Sequence, residues 1–293
     1  MTCNPALLTP INADTSAIVV GGGRSGQAAA RLLRRLGATV RLLERNAEKL
    51  PGGFTAWAAS EGVEILGGEH RREYFLDADI LIPSPGAAVS MLRPLLTPGE
   101  EPEIMAETEL AWRQLEGEPV LAVTGTSGKT TTISMCAAML EAQGLNVFLG
   151  GNIGTPLSEY VLARAEGRPR ADVLALELSS FQLISMHSSP NIAVVTNVTP
   201  NHLDHHKDMQ EYIDAKRNIL LYQKQPCRAV LGYENEISRS MQSDCKGKQV
   251  WFTRLHDTDN GAFLRKEDNM LCMAEDGVVT PFLAQKDIKL RGL

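Results

Sequence analysis

A loop rich in glycine and threonine at residues 124–131 constrains the fold of this chain more than any other segment. Its sequence is Thr-Gly-Thr-Ser-Gly-Lys-Thr-Thr, and it lies between an apolar run at 119–123 and apolar positions at helical spacing, namely Ile133, Cys136, Ala137 and Leu140. A tight glycine turn presents backbone N–H groups to phosphate oxygens, and a following helix adds the positive end of its dipole. The segment therefore predicts a strand, a phosphate-binding loop and a helix.

We expect this loop to bind ATP. Lys129 would reach the β- and γ-phosphates, and the Thr130 hydroxyl would contact Mg²⁺. The complete phosphate-loop pattern has a glycine where this chain has Val123, and Gly125 partly replaces it. A solvated turn before a helix remains the alternative. The predicted ATP-binding residues are Gly125, Thr126, Ser127, Gly128, Lys129, Thr130 and Thr131.

Bulk composition excludes several classes of protein. The 293 residues, with 43% hydrophobic and 22% charged side chains, suffice for two globular domains. A net charge of −6 argues against non-specific nucleic-acid binding, and neither a membrane-length apolar run nor a signal-peptide pattern is present. The five cysteines are scattered without a C-x-x-C pair, as is typical of reduced cytosolic thiols. We expect a cytoplasmic monomer that binds neither nucleic acid nor membrane.

The N-terminal part predicts a β-α-β unit. An apolar run at 17–20 leads into Gly21, Gly23 and Gly26 in the pattern G-x-G-x-x-G, a helical pattern follows, and a second strand at 39–43 ends at Glu44. Glu44 comes 18 residues after Gly26, close to where dinucleotide-binding folds place the acid that contacts ribose. Further strands are predicted at 63–66 and 80–82.

A proline- and glutamate-rich stretch at 94–103 indicates the exit from this first domain. We therefore predict a Rossmann-like domain over residues 1–107 and a P-loop nucleotide-binding domain over 108–293. Alternation of strands and helices predicts an α/β fold with parallel sheets and ligands at the carboxyl ends of the strands. Beyond Val250 the pattern supports only short strands and turns. The strands predicted for the second domain are 120–123, 147–149, 173–176, 192–195, 229–231 and 250–252.

Two groups of polar residues follow predicted strands of the second domain. Glu177 ends the run at 172–176, where a carboxylate could reach a Mg²⁺ held by Thr130. A surface glutamate is the alternative. The segment 196–206 holds His202 among other histidines and aspartate, which suggests a metal or proton-transfer site. A solvated loop is equally consistent with that segment, and the absence of a nearby cysteine disfavours zinc.

Taken in order, five motifs resemble those of the Mur ligases. They are Gly-Thr-Ser-Gly-Lys-Thr at 125–130, Gly-Asn-Ile-Gly at 151–154, Glu-Leu-Ser-Ser-Phe-Gln at 177–182, Asn-His-Leu-Asp at 201–204 and Tyr-Ile-Asp-Ala-Lys at 212–216. The resemblance covers essentially the whole chain. Residues 21–26 together with Ser84-Pro85-Gly86 most resemble the family member that adds D-glutamate to UDP-N-acetylmuramoyl-L-alanine during peptidoglycan precursor synthesis.

This resemblance implies roles for individual residues. The first domain would hold the UDP part of the substrate, Thr130 and Glu177 would hold one Mg²⁺, and His202 and a carbamylated Lys216 would hold a second. Without the resemblance, Lys216 looks like an ordinary lysine on a helix surface. Lys129, His202 and Lys216 are the implied catalytic residues. The implied substrate-binding residues are Arg24, Ser25, Glu44, Arg45, Asn46, Ser84, Gly86, Asn152, Ser179, Gln182 and His202.

The implied reaction is an ATP-dependent, ADP-forming ligation. ATP would convert the substrate carboxylate into an acyl phosphate, the amine of D-glutamate would attack the carbonyl carbon, and phosphate would leave. Mur ligases carry a third domain after the central one, and this sequence stops where that domain would begin. We therefore expect a truncated form that binds the UDP-substrate and ligates poorly or not at all.

Three other functions remain open. An NAD-dependent oxidoreductase would use residues 21–26 and Glu44, but it would leave Lys129, Glu177 and His202 without a role. A non-catalytic nucleotide-sugar binding module is the second alternative. A Mur ligase that adds a different amino acid is the third.

Overall fold

The computed structural model describes residues 10–85, 87, 89–203 and 205–289. The strands are β1 (Ser16–Val20), β2 (Thr39–Glu44), β3 (Glu64–Gly67), β4 (Ile80–Pro83), β5 (Glu103–Ile104), β6 (Val120–Thr124), β7 (Val147–Gly151), β8 (Val173–Glu177), β9 (Ile192–Val195), β10 (Arg228–Gly232), β11 (Lys248–Thr253), β12 (Gly261–Arg265), β13 (Met270–Glu275) and β14 (Val278–Ala284). The helices are α1 (Arg24–Arg35), α2 (Gly52–Ser60), α3 (Val89–Leu92), α4 (Glu107–Trp112), α5 (Lys129–Ala142), α6 (Leu157–Ala165), α7 (Ser180–Leu183), α8 (Met209–Leu221) and α9 (Glu236–Ser240).

The first sheet is parallel throughout, with the strand order β3-β2-β1-β4-β5. Its central strand β1 is buried on both faces, since Ala17, Ile18 and Val19 have no exposed surface. Such a strand must be continuously apolar, which is why the run at 17–20 was recognisable in the sequence. The glycine-rich turn and the start of α1 follow at the carboxyl end of β1, as predicted.

The second sheet has nine strands in the order β14-β13-β12-β11-β10-β9-β6-β8-β7. Strands β6 to β12 pair in parallel, which confirms the predicted α/β class. The last three strands pair antiparallel. The short strands and turns expected after Val250 are present, and the longest strands there, β13 and β14, have six and seven residues. The tight turn between them, at Asp276 and Gly277, lets an antiparallel hairpin form where no crossover helix is available.

Three helices join the two sheets. Helix α4, which lies between the sheets in sequence, packs with α1 of the first sheet and α6 of the second, and α1 also packs directly on α6. Leu110 and Trp112 of α4 are almost completely buried. One apolar cluster includes residues under both sheets, among them Val19 and Val120. The division predicted at residue 107 falls at the first residue of α4, within this continuous core.

Gly26 allows α1 to approach the turn after β1, and its replacement tests that packing. A Cβ atom at Gly26 would lie 1.9 Å from the carbonyl oxygen of Gly21, whereas a Cβ at Gly23 has nothing within 4 Å. Gly26→Ala should lower the free energy of unfolding by about 2 kcal/mol or more, because backbone must move. Gly23→Ala, the matched control, should change it by only about 0.5 kcal/mol. Urea denaturation of both variants measures the difference, and equal losses would contradict the packing argument.

Candidate nucleotide site and adjoining cleft

The predicted phosphate loop connects β6 to α5 and needs glycine at two positions. Gly125 has φ of 147° and Gly128 has φ of 85°, both in the region that favours glycine. A Cβ atom at Gly125 would lie only 1.9 Å from the hydroxyl oxygen of Thr196. Glycine is thus required at residue 125 by the close approach of the residues that follow β9. Gly125 can therefore replace the glycine that the complete phosphate-loop pattern has at the position of Val123.

The end of β9 holds this loop in place. The Asn197 side chain accepts a hydrogen bond from the Ser127 N–H at 3.1 Å and donates one to the Ser127 carbonyl at 3.0 Å. The Thr196 hydroxyl donates to the same carbonyl at 2.7 Å. Sequence reasoning did not single out Thr196 or Asn197. Their position immediately after a predicted strand, next to β6, was the available signal.

The loop has the groups that an anionic phosphate requires. Gly128 caps α5 without a side-chain hydrogen bond, and the first-turn N–H groups of a helix have no partners within it. The Lys129 ammonium donates to the Thr126 carbonyl at 3.0 Å and so lies across the loop. Free N–H groups, the helix dipole and this cation together suit a nucleotide phosphate. The loop geometry thus fits the ATP phosphates predicted from the sequence.

Thr130 and Glu177 meet beside the loop. The Thr130 hydroxyl donates to Glu177 Oε2 at 2.6 Å, and the Asn152 side chain donates to Glu177 Oε1 at 2.8 Å. Glu177 is 2% exposed, because β8 lies between β6 and β7 in the sheet. Hydroxyl and carboxylate oxygens are the ligands that Mg²⁺ prefers, so this pair fits the metal predicted there. The structure brings together Thr130 and Glu177, which the sequence linked through Mg²⁺, and adds Asn152 of the motif at 151–154.

Lys216 is buried beneath the same loop. It is 1% exposed, and its ammonium donates to the Gly125 carbonyl at 2.9 Å and lies 4.5 Å from the centre of the Tyr212 ring. Burial, with a smaller contribution from the nearby Lys129 cation, lowers the pKa of Lys216 to about 7. The lysine therefore lies on the inner face of α8. The surface location that the sequence alone had suggested is wrong. Buried Tyr212, Ala215 and Ile219 show that helical periodicity could have placed it there.

The histidine segment is organised around Phe181. His202 is exposed, has φ of 54°, and its ring centre lies 5.3 Å from that of Phe181 and 6.4 Å from that of Tyr212. The Tyr212 ring thus connects His202 with Lys216. Among the residues that the structure describes, no group of three histidine, cysteine or acidic side chains could hold a metal ion. Asp204 of this motif lies outside the described residues.

His206 is the residue of this segment that sequence reasoning missed. It is 4% exposed, its Nε2 lies 2.9 Å from the Ser180 hydroxyl, and its Nδ1 lies 3.3 Å from Glu211 Oε2. Its ring stacks on Phe181 at a centroid distance of 5.2 Å. Burial lowers the pKa of His206, which favours the neutral ring. His206 thus ties the histidine segment to α7 and α8.

Ser179 and Gln182 form the cap of α7. The Ser179 hydroxyl accepts from the Gln182 N–H, and the Gln182 side-chain oxygen accepts from the Ser179 N–H at 2.9 Å. The Gln182 amide also donates to the Thr108 hydroxyl at 2.8 Å. Both side chains therefore have local partners in the protein. Their predicted contact with substrate remains a prediction.

An open cleft of about 640 Å³ lies at the carboxyl edge of the first sheet. Its lining brings together four of the residues predicted to contact the UDP-substrate, namely Glu44, Arg45, Asn46 and Ser84. His70, which the sequence did not suggest, also lines it, and burial lowers its pKa. Gly86 lies outside the described residues.

Glu44 is already engaged by the protein backbone. Its carboxylate accepts hydrogen bonds from the N–H groups of Asn46 at 3.0 Å and Gly22 at 2.7 Å, and these bonds lower its pKa. Glu44 thus stays ionised and braces the glycine-rich loop. This use of the carboxylate leaves Arg45 and Asn46 as the freer polar side chains of the cleft, since the Ser84 hydroxyl donates to the Gly21 carbonyl at 3.1 Å.

Ser25 and Arg24 face the second half of the molecule. A narrow gap of about 30 Å³ is lined by Ser25, Ser84, Phe181 and Gln182, so it joins the first sheet to α7. The Arg24 guanidinium forms an ion pair with Glu159 of α6 at 2.8 Å. The structure therefore places Ser25 with the other predicted residues and directs Arg24 across the interface.

Comparisons with known proteins agree with this arrangement. The model of the Mur ligase middle domain matches residues 123–281, and the model of an FAD binding domain matches residues 14–67. UDP-N-acetylmuramoylalanine--D-glutamate ligase of Nitratidesulfovibrio vulgaris (strain DSM 19637 / Miyazaki F) is 59% identical over 79% of this chain and 54% of the relative. The enzyme of that name from Acetivibrio thermocellus is 38% identical over 94% of this chain and 58% of the relative.

A solved structure supports the fold independently. The UDP-N-acetylmuramate:L-alanyl-gamma-D-glutamyl-meso-diaminopimelate ligase from Neisseria meningitides superimposes with a TM-score of 0.53 at 18% identity, covering 90% of this chain and 85% of that one. The chain spans about half the length of the curated relatives it matches. Within the described part of the chain, the helices are too short or too polar to cross a bilayer.

The low pKa of Lys216 makes stability depend on pH. Between the folded pKa of about 7 and the ordinary 10.5, the unfolded chain binds a proton that the folded chain does not, so stability rises with pH. Lys216→Met removes this dependence. As the pH is raised from about 6 to 9, the free energy of unfolding of the unsubstituted protein should therefore increase by about 3 kcal/mol relative to that of the variant. Denaturation in magnesium-free, CO₂-free buffer measures this.

The exposed Lys207 provides the control for that measurement. Lys207→Met should retain the pH dependence of the unsubstituted protein. A Lys216→Met curve parallel to that of the unsubstituted protein would show that the lysine is charged at neutral pH.

Proposed function

Since the chain belongs to the Mur ligase family, whose middle-domain model matches more than half of it, we propose that it acts in an ATP-dependent, ADP-forming ligase of peptidoglycan precursor synthesis. The ligase joins D-glutamate to UDP-N-acetylmuramoyl-L-alanine through an acyl phosphate. The observation that carries this proposal is the meeting of Lys129, Thr130 and Glu177 at one phosphate loop. The names of relatives at 59% and 38% identity support D-glutamate as the added amino acid.

The second half of the chain binds the nucleotide. The first-turn N–H groups of α5 and the Lys129 ammonium would hold the phosphates, while the buried Glu177 and Thr130 would hold the metal. Magnesium, when bound there, neutralises phosphate charge during transfer to the substrate carboxylate. Asn152 keeps the Glu177 carboxylate oriented by donating to the oxygen that Thr130 does not contact. Catalysis is then positioning and charge stabilisation, and no protein nucleophile takes part.

The cleft of the first sheet binds the UDP part of the substrate. Arg45 supplies a cation, and Asn46 and Ser84 supply hydrogen-bonding groups, in a space of about 640 Å³. Ser84 lines both this cleft and the narrow gap that Ser25 and Phe181 also line, and the Phe181 ring centre lies 5.3 Å from that of His202. The muramoyl-alanine carboxylate would thus approach Asn152 and His202 from the side of the first sheet.

Lys216 is carbamylated in the active protein. A pKa of about 7 leaves a large fraction of neutral amine at neutral pH, and only the neutral amine reacts with CO₂. The resulting carbamate carries a negative charge beside the Lys129 cation and offers oxygen ligands to a second Mg²⁺. The protein acts in the cytoplasm as a monomer. The free thiols of Cys136, Cys245 and Cys272 are compatible with that reducing compartment.

Nucleotide binding tests the central part of this proposal without requiring ligation. In calorimetric titrations with ATP and Mg²⁺, Lys129→Ala should weaken binding roughly tenfold to hundredfold, because a charge-assisted hydrogen bond of about 1.5 to 3 kcal/mol is lost. Glu177→Gln should remove the magnesium dependence. Lys207→Ala is the matched control and should bind as the unsubstituted protein does. Equal binding by Lys129→Ala, or binding indifferent to magnesium, would rule out this nucleotide site.

The first-sheet cleft discriminates between a Mur ligase and a dinucleotide enzyme, the alternative that the FAD-domain match at 14–67 favours. UDP-N-acetylmuramoyl-L-alanine should bind, and Arg45→Gln should weaken it roughly tenfold by removing a charged partner of the diphosphate. The exposed Arg71, paired with Glu73, provides the control variant Arg71→Gln. If the protein changes the fluorescence of NADH or FAD and does not bind the UDP-substrate, the oxidoreductase is favoured.

A further inference from the structure

Arg24 stands at the first residue of α1, beside the glycine-rich loop, yet its guanidinium contacts the other half of the molecule. Nε and Nη2 donate to the two carboxylate oxygens of Glu159 at 2.9 and 2.8 Å. Nη1 donates to the Gly154 carbonyl at 2.8 Å, and Nη2 lies 3.4 Å from the Thr155 hydroxyl. A planar guanidinium forms such a two-bond fork with a carboxylate, which a lysine ammonium cannot.

Glu159 belongs to α6, whereas Gly154 and Thr155 belong to the loop between β7 and α6. Gly151, the last residue of β7, has φ of 96° and Gly154 of the loop has φ of 64°, so these two residues restrict the backbone little. A Cβ atom at Gly151 would lie 2.3 Å from the Glu177 carbonyl oxygen. The loop therefore packs tightly on β8 while its far end is held by Arg24. External contacts, more than local preference, determine where this loop lies.

The same loop carries Asn152, which holds Glu177. The Asn152 N–H donates to the Glu177 carbonyl at 2.8 Å, and its side chain donates to Glu177 Oε1 at 2.8 Å. Glu177 Oε2 in turn accepts from the Thr130 hydroxyl. Direct contacts thus continue from the first helix of the first half to the phosphate loop of the second half.

We propose that Arg24 is a positioning residue of the nucleotide site: it anchors residues 151–155 to the first half, so that Asn152 holds the Glu177 carboxylate where the metal and nucleotide need it. Arg24 is then a link between the halves of the molecule, in place of the diphosphate ligand expected from its position. This inference rests on the proposed nucleotide site. A chain of contacts alone does not demonstrate coupling, so the test is a double-mutant cycle.

Hydrogen exchange tests the anchoring without reference to function. The amides of Gly151 and Asn152, which bond to the carbonyls of Thr155 and Glu177, should exchange about threefold to fivefold faster in Arg24→Ala at low salt. Arg24→Lys should behave like Arg24→Ala, and the double variant with Glu159→Ala should exchange no faster than Arg24→Ala. At about 1 M salt the differences should shrink, because the Arg24 and Glu159 side chains are 58% and 36% exposed.

Arg265 and Asp268 form the matched control pair. They also make a two-bond fork, at 3.0 and 2.7 Å, but lie at the turn between β12 and β13. Arg265→Ala should leave exchange at Gly151 and Asn152 unchanged. Acceleration there by Arg265→Ala, or none by Arg24→Ala, would overturn the anchoring role.

Titrations with ATP and Mg²⁺, and separately with UDP, complete the test. Arg24→Ala and Glu159→Ala should each weaken magnesium-dependent ATP binding about threefold, with the double variant no weaker than Arg24→Ala, and Arg265→Ala should have no effect. If Arg24→Ala instead weakens UDP binding while Glu159→Ala does not, Arg24 is a phosphate ligand and the inference is wrong. If the unsubstituted protein binds no ATP, the proposed function fails, whereas the exchange comparison still decides the anchoring.

Discussion

The close approach of β9 to the phosphate loop is the constraint on which the candidate site depends. Because the Thr196 hydroxyl occupies the space that a Cβ atom at residue 125 would need, the loop can lie only where glycine permits. Asn197 then bonds both the N–H and the carbonyl of Ser127, which fixes the entry to α5. The orientation of α5 directs Thr130 toward the end of β8, where the Glu177 carboxylate accepts a hydrogen bond from the Thr130 hydroxyl. The positions of the residues that we propose bind the metal and the nucleotide are thus consequences of sheet geometry.

The same arrangement carries a cost at Lys216. Its amine is buried against the Gly125 carbonyl and near a second lysine, which disfavours the charged form and lowers the pKa to about 7. A hydrophobic residue would satisfy packing at this position with no such penalty. Natural sequences break local rules mainly at functional sites, so the buried amine is itself an indication of chemistry. It also explains why a lysine that sequence alone assigned to a surface is relevant to the phosphate loop.

Local pattern predicted most of the strands, and strand adjacency predicted part of the site. Thr130 and Glu177 could be expected to meet, since carboxyl ends of neighbouring parallel strands converge at one edge. The periodicity of α8 would have revealed the buried Lys216 had it been followed through Tyr212 and Ile219. The destination of Arg24 could not be predicted, because Glu159 lies 135 positions away and the pairing depends on how α1 packs on α6. His206 was hidden for a related reason: among adjacent histidines, only the fold decides which one is buried.

The two halves of the chain are also physically less separate than their sequence motifs suggest. Each half has its own glycine-rich turn, yet the buried Glu107 of α4 accepts a hydrogen bond from the Ser158 N–H at the start of α6. A side chain that accepts from a first-turn N–H satisfies one of the donors that the helix itself leaves without a partner. Because Glu159 follows Ser158, this bond also sets the position of the carboxylate that Arg24 reaches. Residues 151–155 therefore lie between β8 on one side and α6 on the other, and the start of α6 is held by Glu107 of α4. The contacts of α1 thus reach the Glu177 carboxylate by way of this loop, through the Gly154 carbonyl and the Asn152 side chain.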